Sequence, residues 1–181
     1  MSHKGWHSRG YLPHFDSAET VQFVTFRLAD SLPRVVAEAL ARLPDNLAET
    51  DHKLDNCLGS CWLKEPLIAK LVEDAIMHFD GERYRLLAWC VMPNHVHVVV
   101  ESADGHSLGA IVRSWKSFTA NRANQALGRG GPFWHRDYFD RFIRDEGHLS
   151  RTIDYVENNP VKAGLTSSPT DWQWSSARRR A

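Results

Sequence analysis

A β-branched run preceded by a turn, residues 93–100, constrains the fold of this chain more than any other segment. Its alternation of histidine and valine favours a β-strand, in which residues two positions apart point to the same face of the sheet. His95, His97 and Val99 are therefore expected on one face, with the intervening valines on the opposite, buried face. The Cα atoms of the two histidines would lie about 6.6 Å apart, so both imidazoles could bind one divalent metal ion.

A bare His-x-His pattern is not specific, because two polar residues on the wetter face of a half-buried strand have the same spacing. The neighbouring residues add a constraint. Pro93 and Asn94 form a turn dipeptide directly after a second apolar segment, residues 85–92. The two segments are expected to pair as a tight hairpin, with the histidines at the entry of the second strand, near an end of the sheet.

The order of strands and helices along the chain predicts the fold class. Alternation and β-branched or aromatic content predict strands at residues 21–28, 85–92, 95–100 and 133–143. Apolar residues at helical spacing predict helices at residues 33–44, 66–79, 107–127 and 148–159. We therefore predict an α+β, ferredoxin-like split β-α-β-β-α-β fold. It has a four-stranded antiparallel sheet, helices on one face, and an added C-terminal helix that carries Tyr155. The other face of the sheet is left for a site.

The totals fit one domain over residues 1–181, with 43% apolar and 24% charged residues. Its less regular parts are an N-terminal arm (1–19), a loop or insertion (44–62) and a C-terminal tail (166–181). Apolar runs are too short for a membrane helix, and three cysteines, an odd number, argue against a disulfide framework. We expect a cytoplasmic protein with no membrane association.

Two polar residues on the last predicted helix lie beside its apolar stripe. The stripe contains Leu149, Ile153 and Val156, and Tyr155 and Asn159 stand four residues apart on one flank. A phenol and a carboxamide one turn apart offer a nucleophile and a neutral oxygen ligand. The structural explanations are an amphipathic residue at a helix edge for Tyr155, and helix capping before a proline for Asn159.

Three segments in this order resemble the REP-associated tyrosine transposases, relatives of the single-tyrosine HUH transposases of small bacterial insertion sequences. They are residues 93–97 (Pro-Asn-His-Val-His), residues 133–139 (Phe-Trp-His-Arg-Asp-Tyr-Phe) and residues 154–165, which begin Asp-Tyr-Val-Glu-Asn-Asn-Pro. The resemblance extends from about residue 22 to residue 176. It implies that His95 and His97 are the metal-binding pair and that Tyr155 is the catalytic tyrosine. Asn159 stands where the insertion-sequence relatives place a third metal ligand, usually Gln.

The activity that the resemblance implies is that of a DNA transposase, a metal-dependent single-strand endonuclease and ligase. It would cleave and transfer single-stranded DNA at palindromic, REP-like hairpins through a 5′-phosphotyrosine intermediate. Mg²⁺ or Mn²⁺ would be the cofactor, and imidazole ligands lead us to expect that Mn²⁺ supports activity at least as well as Mg²⁺. Relatives include both monomers and homodimers, and the sequence does not choose between them.

The distribution of charge predicts where DNA binds. The formal net charge is zero, yet residues 107–136 contain five basic residues and no acidic one. Four of the basic residues, and one aromatic residue expected to stack on a base, are predicted DNA contacts: Arg113, Lys116, Arg122, Arg136 and Trp134. Solvated helix charges and a core tryptophan would give the same pattern.

Two other functions fit the same residues. The chain could be a non-catalytic, hairpin-specific DNA-binding protein, or a metal-dependent phosphoesterase that uses water as its nucleophile. The three functions differ in whether a covalent protein–DNA adduct forms and whether it needs Tyr155.

Overall fold

The computed structural model describes residues 5–8, 13–16, 20–33, 35–36, 39 and 47–180. Its strands are β1 (Gly5–Ser8), β2 (Pro13–Asp16), β3 (Val21–Arg27), β4 (Tyr84–Val91), β5 (His95–Ser102) and β6 (Phe139–Phe142). Its α-helices are α1 (Leu47–Asp55), α2 (Pro66–Met77), α3 (Leu108–Ala126), α4 (Glu146–Lys162) and α5 (Ser176–Arg180). Short 3-10 helices lie at Trp62–Lys64 and Pro169–Asp171.

Strands β3 to β6 form one antiparallel sheet in the order β4-β5-β3-β6. The Pro93-Asn94 turn joins β4 to β5, and the Met92 N–H donates to the His95 carbonyl at 2.9 Å. In the pairing of β3 with β5, Thr25 lies opposite His97 and Phe23 lies opposite Val99. The predicted α+β fold with a four-stranded antiparallel sheet is therefore confirmed.

The two faces of the sheet are covered by different helices. On one face, apolar residues of β3 and β5 such as Val24 and Val98 pack with α2 and α3 into the larger core. On the other face, Phe23 and Val99 pack against Val156 of α4. The face that the sequence analysis left for a site is thus partly covered by α4, and the site lies between the sheet and this helix.

Three predicted segments differ from the structure. The N-terminal arm contains a two-stranded antiparallel sheet, β1 with β2, and the segment 44–62 contains α1 rather than only a loop. The fourth strand is limited to Phe139–Phe142, because residue 134 forms an isolated bridge to Leu28, just after β3, and does not continue the ladder. Most of the helix predicted at 33–44 lies outside the described residues.

The last main helix is longer than predicted, since α4 continues through Pro160 to Lys162. Proline lacks an N–H and therefore costs one helical hydrogen bond. The following turn still closes, because the Ala163 N–H donates to the Asn159 carbonyl at 2.9 Å. This extra turn places Lys162 on the helix.

The segment between α1 and α2 is joined by a disulfide between Cys57 and Cys61. This bridge was not expected from the odd number of cysteines; Cys90 is the free one and is buried. The same loop contacts the turn after β3, where Ser60 N–H donates to Asp30 Oδ2 at 2.9 Å. Gly59 permits this approach, since a Cβ there would lie 2.4 Å from the Asp30 carbonyl oxygen.

The C-terminal tail lies along β4, an edge strand of the sheet. The Val91 N–H donates to the Trp174 carbonyl at 2.9 Å, and the Val91 carbonyl accepts from Trp172 Nε1 at 3.0 Å. One residue pair further along, the Ser176 hydroxyl accepts from the Trp89 N–H at 3.1 Å. The tail is therefore part of the folded unit. Among the described residues, no helix is both long and apolar enough to cross a membrane.

Candidate active site

His95 and His97 lie side by side at the start of β5, and both are fully buried. Their Nε2 atoms are 3.1 Å apart, and the two rings meet edge to face with centroids 4.7 Å apart. This is the convergence that the strand spacing predicted. Two imidazole nitrogens at this separation can be ligands of a single divalent cation.

His95 Nδ1, the ring nitrogen that faces away from His97, forms a hydrogen bond with the preceding residue, Asn94. His95 Nδ1 lies 2.8 Å from Asn94 Oδ1, and Asn94 Nδ2 donates to the carbonyls of Leu54 and Leu58 at 3.1 and 3.3 Å. Because the amide nitrogen faces two acceptors, the amide oxygen must face His95, whose Nδ1 therefore carries the proton. In the neutral form of His95, the Nε2 lone pair is then directed toward His97.

The outer nitrogen of His97 contacts a hydroxyl on the neighbouring strand. Thr25 Oγ1 lies 2.8 Å from His97 Nδ1. A hydroxyl both donates and accepts, so Thr25 is compatible with either neutral tautomer of His97. If His97 carries its proton on Nδ1, its Nε2 lone pair and that of His95 are directed at the same point. If His97 carries its proton on Nε2, that N–H donates to His95 Nε2.

The site favours neutral imidazole at His97. Burial lowers the pKa of His97 from 6.5 to about 3, and the positive charge of Lys162 contributes in the same direction. A metal ligand must be the neutral form, so the environment suits that role at ordinary pH.

Tyr155 of α4 packs directly on this pair. Its ring centroid is 5.8 Å from that of His97 and 6.0 Å from that of Phe23, edge to face in both cases. The ring is only partly buried. The phenol and the imidazoles, about sixty residues apart in sequence, are therefore brought together at one place between the sheet and α4.

Asn159 lies one turn after Tyr155 on α4 and is fully buried. Within the described part of the chain, neither its Oδ1 nor its Nδ2 has a hydrogen-bond partner. A buried amide without partners costs about 1–3 kcal/mol, so native proteins seldom retain one without another use for it. A metal ion coordinated by the amide oxygen would remove part of this cost.

These observations fit a divalent metal ion. The candidate donors are the two buried imidazoles and the buried amide oxygen of Asn159, which has no hydrogen-bond partner within the described residues. In the described ranges, no group of three or more His, Cys, Asp or Glu side chains could hold a metal ion. Among the predicted ligands, the third donor to such an ion would be the amide of Asn159.

The predicted DNA contacts lie on the other side of the sheet, where α3 packs. Arg113, Lys116 and Arg136 line one cleft of about 230 Å³, together with Ser117 and Tyr138. The side chains of Arg113 and Arg136 are exposed. Arg122 is exposed as well and lies further along α3, with its guanidinium 5.9 Å from the Phe118 ring centroid.

Two of these predicted contacts have structural partners. Lys116 Nζ donates to the carbonyls of His135 and Arg136 at 2.8 and 3.0 Å, and to that of Asp137 at 3.3 Å. Its charge faces the cleft, but its donors are used to hold the segment before β6. Trp134 is buried, and its Nε1 donates to Thr119 Oγ1 at 2.8 Å. Its ring packs against Phe26 in the core, so the expectation that it stacks on a base is corrected.

Sequence reasoning missed three residues of the site. Asn94 was read only as a turn residue, although its position beside His95 was a signal. Thr25 could not be identified without the register of β3 against β5. Lys162, whose Nζ lies 5.3 Å from the Tyr155 ring centroid, was missed because the helix was expected to end before Pro160.

A sequence model of the family described as "Transposase IS200 like" matches residues 64–159, more than half of the chain. The match contains both histidines, Tyr155 and Asn159. A Haemophilus influenzae protein assigned to the REP-associated tyrosine transposases is 27% identical over 109 residues, covering 53% of this chain. The Escherichia coli REP-associated tyrosine transposase is 24% identical over 111 residues, covering 61% of it. The chain spans 60% and 65% of the lengths of these two relatives.

Among solved structures, the fold is similar to that of a REP-associated tyrosine transposase bound to a REP hairpin. The TM-score is 0.60 at 19% sequence identity, and the alignment covers 96% of this chain and 82% of the other. At this identity, the likeness establishes the shared fold.

Proposed function

Because this chain belongs to the IS200-like transposase family, we propose that it cleaves and rejoins single-stranded DNA beside hairpins, with Tyr155 as its nucleophile. The observation that carries the proposal is the packing of the Tyr155 ring against His97, beside the paired Nε2 atoms of His95 and His97. The solved structure of a REP-associated tyrosine transposase bound to a REP hairpin supports a hairpin as the substrate.

In the proposed reaction, Tyr155 Oη attacks the phosphorus of a phosphodiester. The Oη–P bond forms, the bond from phosphorus to the 3′ oxygen breaks, and the product is a 5′-phosphotyrosine with a free 3′-OH. The phenol proton passes to solvent, and the departing 3′ oxygen takes one up. One phosphoester is exchanged for another, so attack by a 3′-OH reverses the step without ATP.

His95, His97 and Asn159 are the residues that would hold a divalent ion at this place. When bound, the ion would supply positive charge that polarises a non-bridging phosphate oxygen and offsets charge in the transition state. Asn94 and Thr25 orient the two imidazoles, and Phe23 and Val99 exclude water from the sheet side of the tyrosine ring.

The basic cleft would bind DNA on the other side of the sheet. Arg113 and Arg136 would contact backbone phosphates there, with Arg122 further along α3. Lys116 adds charge while it holds the segment that carries Arg136. A hairpin in this cleft would reach Tyr155 only through a strand that passes around the sheet, which suits a single-stranded flank.

The test is formation of a covalent adduct. The protein is incubated with Mn²⁺ and hairpin oligonucleotides with single-stranded flanks, labelled at either end, and resolved on a denaturing gel. We expect the 3′-end label to migrate with the protein and the 5′-labelled fragment to be released. Tyr155→Phe should abolish the adduct, whereas Tyr84→Phe, a change to a buried tyrosine among the apolar residues packed with α2 and α3, should not.

Other outcomes assign other functions. Tight hairpin binding without an adduct would indicate a DNA-binding protein. Cleavage that survives Tyr155→Phe but not His95→Ala would indicate a phosphoesterase that uses water, and would refute Tyr155 as nucleophile.

A further inference from the structure

Lys162 lies beside Tyr155 at the end of α4. Its Nζ is 5.3 Å from the centroid of the tyrosine ring. Tyr155, Asn159 and Lys162 stand at positions i, i+4 and i+7 of one helix, so their side chains share a face. Lys162 belongs to this face only because the helix continues through Pro160.

The ammonium group of Lys162 is available to a ligand. Its side chain is exposed, and in the part of the chain that the structure describes, its ammonium pairs with no carboxylate. The cation–π contact with Tyr155 keeps the charge at the site and leaves the N–H donors unused. The charge also acts on His97, as the lowered pKa of that histidine shows.

A phosphate group is the ligand that this arrangement suits. A phosphodiester that approaches the Tyr155 hydroxyl brings one negative charge into a site whose other described donors, two imidazoles and an amide, are neutral. Lysine is a common phosphate ligand because it acts as a compact point charge. We propose that Lys162 binds the phosphate at which Tyr155 reacts and is a further catalytic residue. This inference rests on the proposed function.

The experiment measures binding without cleavage. In the Tyr155→Phe protein with Mn²⁺, dissociation constants are measured for hairpin oligonucleotides that carry one uncharged methylphosphonate, moved linkage by linkage along the flank. At the linkage that Lys162 contacts, loss of charge should weaken binding about three- to tenfold. Adding Lys162→Gln should reduce this penalty at that linkage alone, because the part that a bound Mn²⁺ ion contributes would remain. Lys162→Arg should preserve the penalty, as should Lys70→Gln, a matched exposed helical lysine.

The position of cleavage is then mapped in the protein that retains Tyr155. The inference predicts that the cleaved linkage and the Lys162-dependent linkage are the same. The inference is overturned if Lys162→Gln leaves the loss of affinity at every methylphosphonate linkage unchanged. It is also overturned if the linkage at which this loss depends on Lys162 is not the cleaved one. If no adduct forms but one linkage depends on Lys162, the phosphate contact stands and the strand-transfer function fails.

Discussion

Asn94 Oδ1 lies 2.8 Å from His95 Nδ1, while the same amide donates to the carbonyls of Leu54 and Leu58. The segment 44–62 therefore has a structural role at the site. It anchors the amide that fixes the tautomer and orientation of His95.

Replacing Asn94 with alanine should weaken metal binding. His95 would lose its hydrogen-bonded orientation, and such partners typically contribute 10- to 100-fold in affinity, so we expect a decrease of about that size. Isothermal titration with Mn²⁺ measures it. Asn158→Ala is the control, because Asn158 is exposed and donates to the Asp154 carbonyl of its own helix. Equal Mn²⁺ affinity in Asn94→Ala and the wild type would contradict the role assigned to Asn94.

Replacing Asn159 with leucine should have opposite effects with and without metal. The change removes a buried amide that has no partner in the described structure, so the metal-free protein should gain about 1–3 kcal/mol of unfolding free energy. The same change removes a proposed ligand, so Mn²⁺ should no longer stabilise the protein as it does the wild type. Urea unfolding in EDTA and in Mn²⁺ measures both effects. Undiminished stabilisation by Mn²⁺ in Asn159→Leu would exclude Asn159 as a ligand.

Removing a cleft arginine should weaken DNA binding in a salt-dependent way. Arg113→Gln and Arg136→Gln should each lower the slope of log affinity against log salt by about one, with no change in stability. Fluorescence anisotropy with a hairpin oligonucleotide at several salt concentrations measures this slope. Arg85→Gln is the control, since Arg85 lies on β4 and pairs with Glu101. Slopes equal to that of the wild type would place the DNA elsewhere.

Replacing Lys116 with methionine should affect stability more than the arginine changes do. Three carbonyl groups would lose a charged donor, and one such hydrogen bond contributes about 1.5–3 kcal/mol. We expect a loss of at least that order in urea unfolding. Lys70→Met, at an exposed i,i+4 pair with Asp74, should change stability by about 0.5 kcal/mol or less. A Lys116→Met protein as stable as the wild type would show that these contacts are not significant.

Replacing Tyr84 with phenylalanine should reduce the loss of stability in alkali. Burial raises the pKa of Tyr84 above its ordinary value of 10, despite the hydrogen bond that its hydroxyl accepts from Trp115 Nε1. Above pH 10 the unfolded chain releases this proton before the folded protein does. The unfolding free energy of the wild type therefore falls as pH rises. Urea unfolding at pH 8 and pH 11 should show a smaller decrease in unfolding free energy for Tyr84→Phe than for the wild type. Equal decreases in the two proteins would contradict the role assigned to Tyr84.

The sequence predicted the fold class well because period-two alternation and the Pro93-Asn94 turn are local signals. It also predicted that His95 and His97 share a face, and the resemblance to REP-associated tyrosine transposases is confirmed by the family match and the curated relatives. The roles of Tyr155, Asn159 and the metal ion stay predictions, although the structure packs the Tyr155 ring against His97, beside His95.

Other features depend on contacts that the sequence does not encode locally. Trp134 is of the residue type that stacks on bases, but it lies in the core. Its contacts with Thr119 and Phe26 form only in the folded chain, so the sequence alone did not reveal them. The sequence predicted Lys116 as a DNA contact, and it gave no sign that the ammonium group donates to the carbonyls of residues 135–137. The helix was expected to end before Pro160, and packing overrode that local rule.

The tail along β4 has a consequence for assembly. The outward main-chain groups of this strand at Trp89 and Val91 are already matched by residues 172–176, and Arg180 donates to the Leu87 carbonyl. Another copy of the protein could not extend the sheet across this border without first displacing the tail. A sheet shared between two copies would therefore have to form at another edge, such as that of β6.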